Sequence, residues 1–240
     1  SGADIIITNS FNSNRISQSD YGLEEFTYDL NFNAAKIARD SADNWSKKTP
    51  NKTRFVAGSL GPTNRTASIS PKVDDPAFRN TSFEELRKVY KESALGLLDG
   101  GVDILILETI FDTLNAKAAI YSLGEILEEK SQEIPIMISG TITDMSGRNL
   151  SGQTVEAFWY SVRHISPITI GLNCSFGAED LRVPIQDLSR IADTYICAYP
   201  NAGLPNHMGE YDEMPETTAK LISEWATEGF VNVVGGCCGT

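Results

Sequence analysis

The stretch 231–240 reads Val231-Asn232-Val233-Val234-Gly235-Gly236-Cys237-Cys238-Gly239-Thr240. Its β-branched residues Val231, Val233 and Val234 predict a buried strand. The glycines that follow allow the backbone to turn tightly and to pass close to another group. Cys237 and Cys238 are poorly placed to pair with each other, because neighbouring Cα atoms lie ~3.8 Å apart, below the ~4.4 Å that a disulfide usually needs. Two adjacent thiols at a strand end therefore indicate soft metal ligands that require a third partner.

An apolar strand that ends in small or polar residues occurs seven times along the chain. The predicted strands cover 3–8, 53–59, 102–108, 134–140, 168–172, 195–198 and 231–234. Helices are predicted between them over 30–42, 82–99, 112–127, 154–165, 179–192 and 216–227. Apolar strands that alternate with amphipathic helices are typical of an α/β protein with a parallel sheet covered by helices.

Two α/β architectures fit this pattern, an open doubly wound sheet and a barrel. The glycine-rich dinucleotide fingerprint is absent after the first predicted strand, which weakens the open-sheet alternative. We therefore favour an eight-stranded (β/α)8 TIM barrel. We expect its first strand and last helix to be missing from this chain, so that residues 1–240 form one partial barrel domain.

Composition argues against several classes of function. The chain has 240 residues and a formal net charge of −12, which argues against nucleic acid and anionic lipid as partners. No apolar run approaches the ~18–20 residues of a membrane span. Only four cysteines occur, so a disulfide scaffold is not indicated. A cytoplasmic location with metal-binding or catalytic thiols is expected instead.

Polar or small residues stand at the end of each predicted strand, and a barrel places all these ends on the rim where active sites lie. The candidate substrate-binding residues are Asn9, Ser10, Gly58, Ser59, Glu108, Gly140, Thr141 and Asn173. Glu108 is suited to bind an ammonium group or to act as a base, and a salt-bridged rim carboxylate is the alternative. Asn201 is suited to occupy a metal position, although turn chemistry explains an asparagine there nearly as well.

Cys174 follows strand 168–172 and supplies the third thiol. If 231–234 is the eighth barrel strand, Cys174 ends the sixth, about two strand spacings or ~10 Å away. Side chains from both ends can converge on one zinc ion, with Zn–S bonds of ~2.3 Å. Cys197 lies inside a strand and is interpreted as a small core residue. Three thiolates with one open position favour a catalytic zinc, while a structural metal and metal-free thiols stay open as alternatives.

These motifs resemble those of the zinc-dependent homocysteine S-methyltransferase family. The resemblance is carried by Gly171-Leu172-Asn173-Cys174 and Gly235-Gly236-Cys237-Cys238-Gly239-Thr240, and it extends through 4–11, 58–62 and 107–109. Within the family, 150–158 and 200–206 are most similar to the homocysteine-binding module of cobalamin-dependent methionine synthase. The resemblance implies a (β/α) barrel with zinc on Cys174, Cys237 and Cys238. It also implies homocysteine thiolate as the fourth ligand, Asn201 in that place before substrate binds, and Glu108 on the substrate amino group.

The function that the resemblance implies is zinc-dependent activation of homocysteine for methyl transfer from methylcobalamin, giving methionine. Methylcobalamin would be bound by another module, and the expected partners are the folate-binding and cobalamin-binding modules of a full enzyme. One alternative is a stand-alone methyltransferase that uses betaine or S-methylmethionine. Others are a non-catalytic zinc-binding module and a dithiol redox protein that uses Cys237 and Cys238.

Overall fold

Parallel strands alternate with helices in the computed structural model, which describes residues 2–131 and 133–240. In this part of the chain there are seven strands: β1 (Ile5–Ile7), β2 (Phe55–Leu60), β3 (Ile104–Ile110), β4 (Ile136–Gly140), β5 (Thr169–Gly177), β6 (Tyr195–Asn201) and β7 (Val233–Val234). The α-helices are α1 (Arg15–Gln18), α2 (Thr27–Lys48), α3 (Phe83–Asp99), α4 (Thr113–Lys130), α5 (Val155–Val162), α6 (Ala178–Ile191) and α7 (Pro215–Thr227). The strand order in the sheet follows the chain, from β1 to β7. This is the order of βαβ units linked in sequence, and the fold is a partial (β/α)8 TIM barrel, as predicted.

The structure corrects the prediction for the strand at 231–234. Only Val233 and Val234 pair as a strand. Val231 is buried, whereas Val233 is half-buried and the side chain of Val234 is 52% exposed. The reason is that β7 is the last strand of the described sheet and has a neighbour, β6, on one side only. A β-branched pattern predicts the strand but not what covers it.

The described residues of Ser1–Leu107 and Leu114–Met137 form one compact unit. Within it β1 pairs with β2, and β2 pairs with the first part of β3, in parallel register. Helix α2 packs closely on α3 because Gly96 of α3, and Gly100 directly after its last residue, face it. A Cβ at Gly96 would lie 2.6 Å from the carbonyl oxygen of Tyr28, and one at Gly100 would lie equally close to the α2 backbone.

The second compact unit comprises Glu108–Thr113 and Ile138–Thr240. Within it β5 and β6 pair in parallel register over their first five residues. Gly171 of β5 lies against Cys197 of β6, and a Cβ there would overlap the carbonyl oxygen of that cysteine. A glycine is therefore needed where the two backbones approach each other. The thiol of Cys197 is fully buried, which confirms its prediction as a core residue.

Candidate metal and substrate site

The strand β5 leaves its regular pairing at the residue that carries the first thiol. Asn173 pairs with Tyr199, and pairing resumes only at Gly177, so that β5 advances four residues while β6 advances two. Cys174 and Ser175 have φ values of 62° and 66°, in the left-handed region that residues other than glycine rarely adopt. Such a bulge re-aims a side chain at a strand end, and here it takes Cys174 out of the ladder.

Three sulfur atoms meet beside this bulge. The Sγ atoms of Cys174, Cys237 and Cys238 all lie within 4.8 Å of one another. The distance is 3.8 Å between Cys174 and Cys238, and 4.0 Å between Cys237 and Cys238. Three sulfurs on one tetrahedral zinc ion with bonds of ~2.3 Å would lie ~3.8 Å apart. The structure thus brings the three predicted cysteines together, at a spacing that fits zinc.

The segment that carries the paired cysteines is held by the end of β6. The backbone N–H of Cys237 donates to the carbonyl oxygen of Pro200 over 2.9 Å, and the carbonyl oxygen of Cys238 accepts from the N–H of Ala202 over 2.9 Å. The N–H of Cys238 donates to Oδ1 of Asn201 over 3.1 Å. These bonds fix the turn on which both thiols stand, so the cluster depends on the backbone as well as on the cysteines.

The thiols of Cys174 and Cys237 influence each other's ionisation. The pKa of Cys174 is lowered to about 5, chiefly because the thiol of Cys237 donates a hydrogen bond to its thiolate. The same hydrogen bond raises the pKa of Cys237. A negative charge on Cys174 disfavours a second one on Cys237, so these two thiols resist losing both protons by themselves. A bound divalent cation removes this penalty, which is the chemistry of a thiolate metal site.

Asn201 is the last residue of β6 and lies against two of the cysteines. Its side chain is buried, and its Oδ1 accepts the hydrogen bond from the Cys238 N–H. Its amide also helps to lower the pKa of Cys174, after the larger contribution of Cys237. An amide oxygen has two lone pairs, so Oδ1 keeps one that a metal ion can use. The role of Asn201 as a ligand remains a prediction.

Glu108 stands in β3 directly before an irregular residue. Its side chain is 7% exposed, and Thr109 after it has a φ of 55°. Burial, together with the neighbouring charge of Glu108, raises the pKa of Tyr199 well above that of a free phenol. A buried carboxylate thus lies near a neutral phenol at the end of β6. Sequence reasoning did not select Tyr199, although its position two residues before Asn201 was a usable signal.

Gly140 and Thr141 follow one another at the end of β4. A Cβ at Gly140 would lie 2.8 Å from the ring of Phe158, so packing of α5 already explains the glycine. Thr141 is buried, and its hydroxyl has no hydrogen-bond partner among residues 2–131 and 133–240. The substrate contact predicted for both residues remains a prediction.

Asn9, Ser10, Gly58 and Ser59 belong to the first unit and are described within it. Oγ of Ser10 donates to the carbonyl oxygen of Ser59 over 2.9 Å and lies 2.7 Å from Oγ1 of Thr8. The N–H of Ser59 donates to Oγ1 of Thr8 over 2.9 Å. The side chain of Asn9 is exposed, and a Cβ at Gly58 would touch the inner side of α3. The structure brings Ser10 and Ser59 together, and their substrate contacts remain predictions.

Tyr211 is a second residue near the cluster that sequence reasoning missed. Its ring lies against the backbone of Gly239, which has a φ of 82° and has no room for a Cβ on that side. Partial desolvation and the charge of the Cys238 thiolate raise the pKa of Tyr211. The tyrosine therefore reaches the thiol of Cys238 from the loop after β6. No spacing in that loop indicates such a contact.

Comparison with known proteins decides the family. The family model described as homocysteine S-methyltransferase matches residues 1–240. The chain belongs to the homocysteine S-methyltransferase family.

Solved structures show the same fold. The homocysteine methyltransferase MmuM from Escherichia coli, in its metallated form, superposes with a TM-score of 0.77 and 23% identity over 100% of this chain and 76% of that one. Its apo form gives a TM-score of 0.69 with 22% identity over the same shares. A 2-naphthoyl-CoA reductase in complex with 2-naphthoyl-CoA gives 0.52 with 13% identity, over 89% of this chain and 38% of that one. At these identities the likeness is one of fold.

Proposed function

We propose that this chain holds zinc on Cys174, Cys237 and Cys238, binds homocysteine there, and prepares its sulfur to accept a methyl group from methylcobalamin. The observation that carries this proposal is the three-sulfur cluster in a chain of the homocysteine S-methyltransferase family. When bound, zinc supplies the positive charge that keeps a thiol sulfur deprotonated near neutral pH, where a free thiol of pKa ~8.5 is mostly protonated.

The residues of this chain take distinct roles in the proposal. The three thiolates hold the metal and leave one coordination position open. Asn201 fills that position before substrate arrives, which its contact with the Cys238 N–H supports. Glu108 binds the substrate ammonium group, because a buried carboxylate interacts strongly with a cation in a low-dielectric site. The neutral phenol of Tyr199 lies near Glu108 without adding a competing charge.

Several further assignments belong to the same proposal. The other strand-end residues contact the rest of the substrate: Asn9, Ser10, Gly58, Ser59, Gly140, Thr141 and Asn173. Residues 1–240 act as one homocysteine-binding barrel domain. Methylcobalamin is carried by another module, so the proposed partners are the cobalamin-binding and folate-binding modules of a full methionine synthase.

The surroundings that we propose are cytoplasmic and free of nucleic acid. The net charge of −12 disfavours phosphate backbones. In the part of the chain that the structure describes, no helix has both the length and the apolar character needed to cross a bilayer. All four cysteines lie in the part of the chain that the structure describes, and all four are free thiols, which suits a reducing compartment.

The first experiment measures zinc per chain and the response to homocysteine. We expect one zinc ion per chain and release of about one proton per homocysteine bound near neutral pH, because a metal-bound thiol is deprotonated. Cys197→Ala is the matched control, since this thiol lies outside the cluster. Cys238→Ala should lose both zinc and proton release. Zinc without a homocysteine response would favour a structural metal, and zinc-free protein with a reversible vicinal disulfide would favour a redox role.

The second experiment compares methyl donors. Free methylcobalamin, betaine and S-methylmethionine are each incubated with homocysteine and the zinc-loaded chain, and methionine is measured. The proposal expects methionine from methylcobalamin only. Efficient use of betaine or S-methylmethionine would contradict the donor assignment and favour a stand-alone methyltransferase.

A further inference from the structure

The side chain of Asn173 connects the metal cluster with Thr109, the irregular residue of β3 that follows Glu108. Asn173 is the last regularly paired residue of β5, and its side chain is 1% exposed. Its Oδ1 accepts hydrogen bonds from Oγ of Ser139 over 2.7 Å and from the N–H of Thr109 over 3.1 Å. Its Nδ2 donates to Oγ1 of Thr109 over 2.8 Å and approaches Sγ of Cys237 at 3.9 Å. All four contacts lie within the second compact unit.

These contacts leave the amide of Asn173 one satisfactory orientation. If the amide were flipped, its NH2 group would face the N–H of Thr109, and two donors would meet in a buried site. With zinc bound, the oxygen would then face the thiolate of Cys237, which would repel it. The observed orientation therefore directs an N–H at Cys237, and the hydroxyl of Ser139 holds it there from the other side.

We propose that Asn173 is a positioning residue that orients the sulfur of Cys237 in the metal cluster and ties it to Glu108 and Thr109 near the end of β3. This inference rests on the proposed function, since it assumes that the cluster holds a metal and that Glu108 binds substrate. Hydrogen bonds to ligand atoms fix ligand direction and tune the electron density that the ligand offers to the metal. Because Thr109 adopts a left-handed φ, both of its bonds to Asn173 hold a local conformation that the backbone alone disfavours.

The inference adds a positioning role for Asn173 to the substrate contact that is proposed for it at its strand end. Its oxygen and nitrogen are both engaged with protein atoms, and its side chain is buried. An Asn173→Asp substitution keeps the shape of the side chain and removes the two N–H donors. It also adds a negative charge beside three sulfurs. Asn173→Ala removes the whole amide and tests the same contacts without the added charge.

Asn149 provides a matched control in the same unit. It is also a buried asparagine, and its Nδ2 donates to the hydroxyl of Thr113 over 3.1 Å. Its Oδ1 accepts from the N–H of Gln153 and from Oγ of Ser151, each over 2.9 Å. Asn149→Asp therefore makes the same chemical change in a comparable hydrogen-bond network, and none of these three partners is a cysteine.

The test measures zinc affinity by chelator competition, and the absorption spectrum of the Co²⁺-substituted full chain. We expect Asn173→Asp and Asn173→Ala to weaken zinc binding by about 10- to 100-fold and to shift the sulfur-to-cobalt and d–d bands. Asn149→Asp should leave both unchanged, whatever its effect on thermal stability. If Asn173→Asp does not fold, Asn173→Ala decides alone.

Two results would overturn the inference. One is wild-type zinc affinity and an unchanged cobalt spectrum in a folded Asn173 variant. The other is an equal change in Asn149→Asp, which would mean that any buried amide has this effect. Zinc affinity and the cobalt spectrum are both measured without homocysteine. A wild-type chain that binds zinc but not homocysteine would therefore contradict the proposed function, and the test of Asn173 would still give a result.

Discussion

The ends of β2 and β5 carry similar polar residues and use them differently. At β2, Ser59 stays in the parallel ladder, and the hydroxyls of Thr8 and Ser10 bond to its main chain. At β5, regular pairing breaks after Asn173 and the next two residues adopt left-handed φ values. Beside the regular ladder, polar side chains form hydrogen bonds with the neighbouring backbone. Where the ladder is broken, the side chain of Cys174 points instead to the other two cysteines. The irregular backbone, more than the polar composition, therefore distinguishes the candidate metal site.

Removal of a sulfur from the bulge should have the largest effect. Cys174→Ala is expected to weaken zinc binding by more than about 100-fold, because the loss of outer-shell partners alone costs 10- to 100-fold. Cys197→Ala, in the regular part of β6, should bind zinc as the wild type does. Chelator competition measures both. Equal affinities for the two variants would contradict the assignment of the cluster.

In the regular part of β5, an added side-chain atom should strongly lower the free energy of unfolding. Gly171→Ala is expected to lower the free energy of unfolding by about 3 kcal/mol or more, because its Cβ would overlap the backbone of Cys197. Gly124→Ala in α4 should raise it by up to ~1 kcal/mol, because apart from the neighbouring helix backbone no atom of the described residues lies within 4 Å of the added Cβ. Urea unfolding measures both values. A Gly171→Ala chain as stable as the wild type would disprove the close approach of β5 and β6.

The buried thiol in β6 should make stability depend on alkaline pH. Burial raises the pKa of Cys197 to about 11, whereas the unfolded thiol titrates near ~8.5. The unfolded chain therefore loses its proton first, and the free energy of unfolding should fall as pH rises from about 9 towards 11. The contribution of one group is at most ~1.4 kcal/mol per pH unit. Urea unfolding at several pH values should give a shallower slope for Cys197→Ala, and identical slopes would exclude this contribution.

The smallest effect should come from relieving the bulge itself. Ser175→Gly is expected to raise the free energy of unfolding by about 1 kcal/mol, because glycine adopts a φ of 66° without the cost that serine bears. Ser161→Gly in α5 should lower it by about 0.5 kcal/mol, since glycine is a poorer helix former than serine. Thermal unfolding of both variants shows whether the two changes in the free energy of unfolding have opposite signs. A destabilised Ser175→Gly chain would show that the serine side chain, rather than the backbone, holds the bulge.

Sequence patterns predicted much of the architecture, because hydrophobic periodicity and strand-end residues are local signals. The alternation of strands and helices and the convergence of Cys174 on the paired cysteines were both reached in this way. The left-handed pair at Cys174 and Ser175 was not predictable, since neither residue type favours a positive φ. The exposure of Val234 also depends on a neighbouring strand rather than on the local sequence. The contact of Tyr211 depends on the path of a loop that has no periodic pattern.

The zinc X-ray absorption spectrum of the loaded chain, with and without homocysteine, shows whether the substrate sulfur binds the metal. It counts the sulfur atoms around the metal through bonds of ~2.3 Å. We predict three sulfurs and one oxygen or nitrogen without homocysteine, and four sulfurs when homocysteine is added. A sulfur count that homocysteine does not change would contradict this prediction.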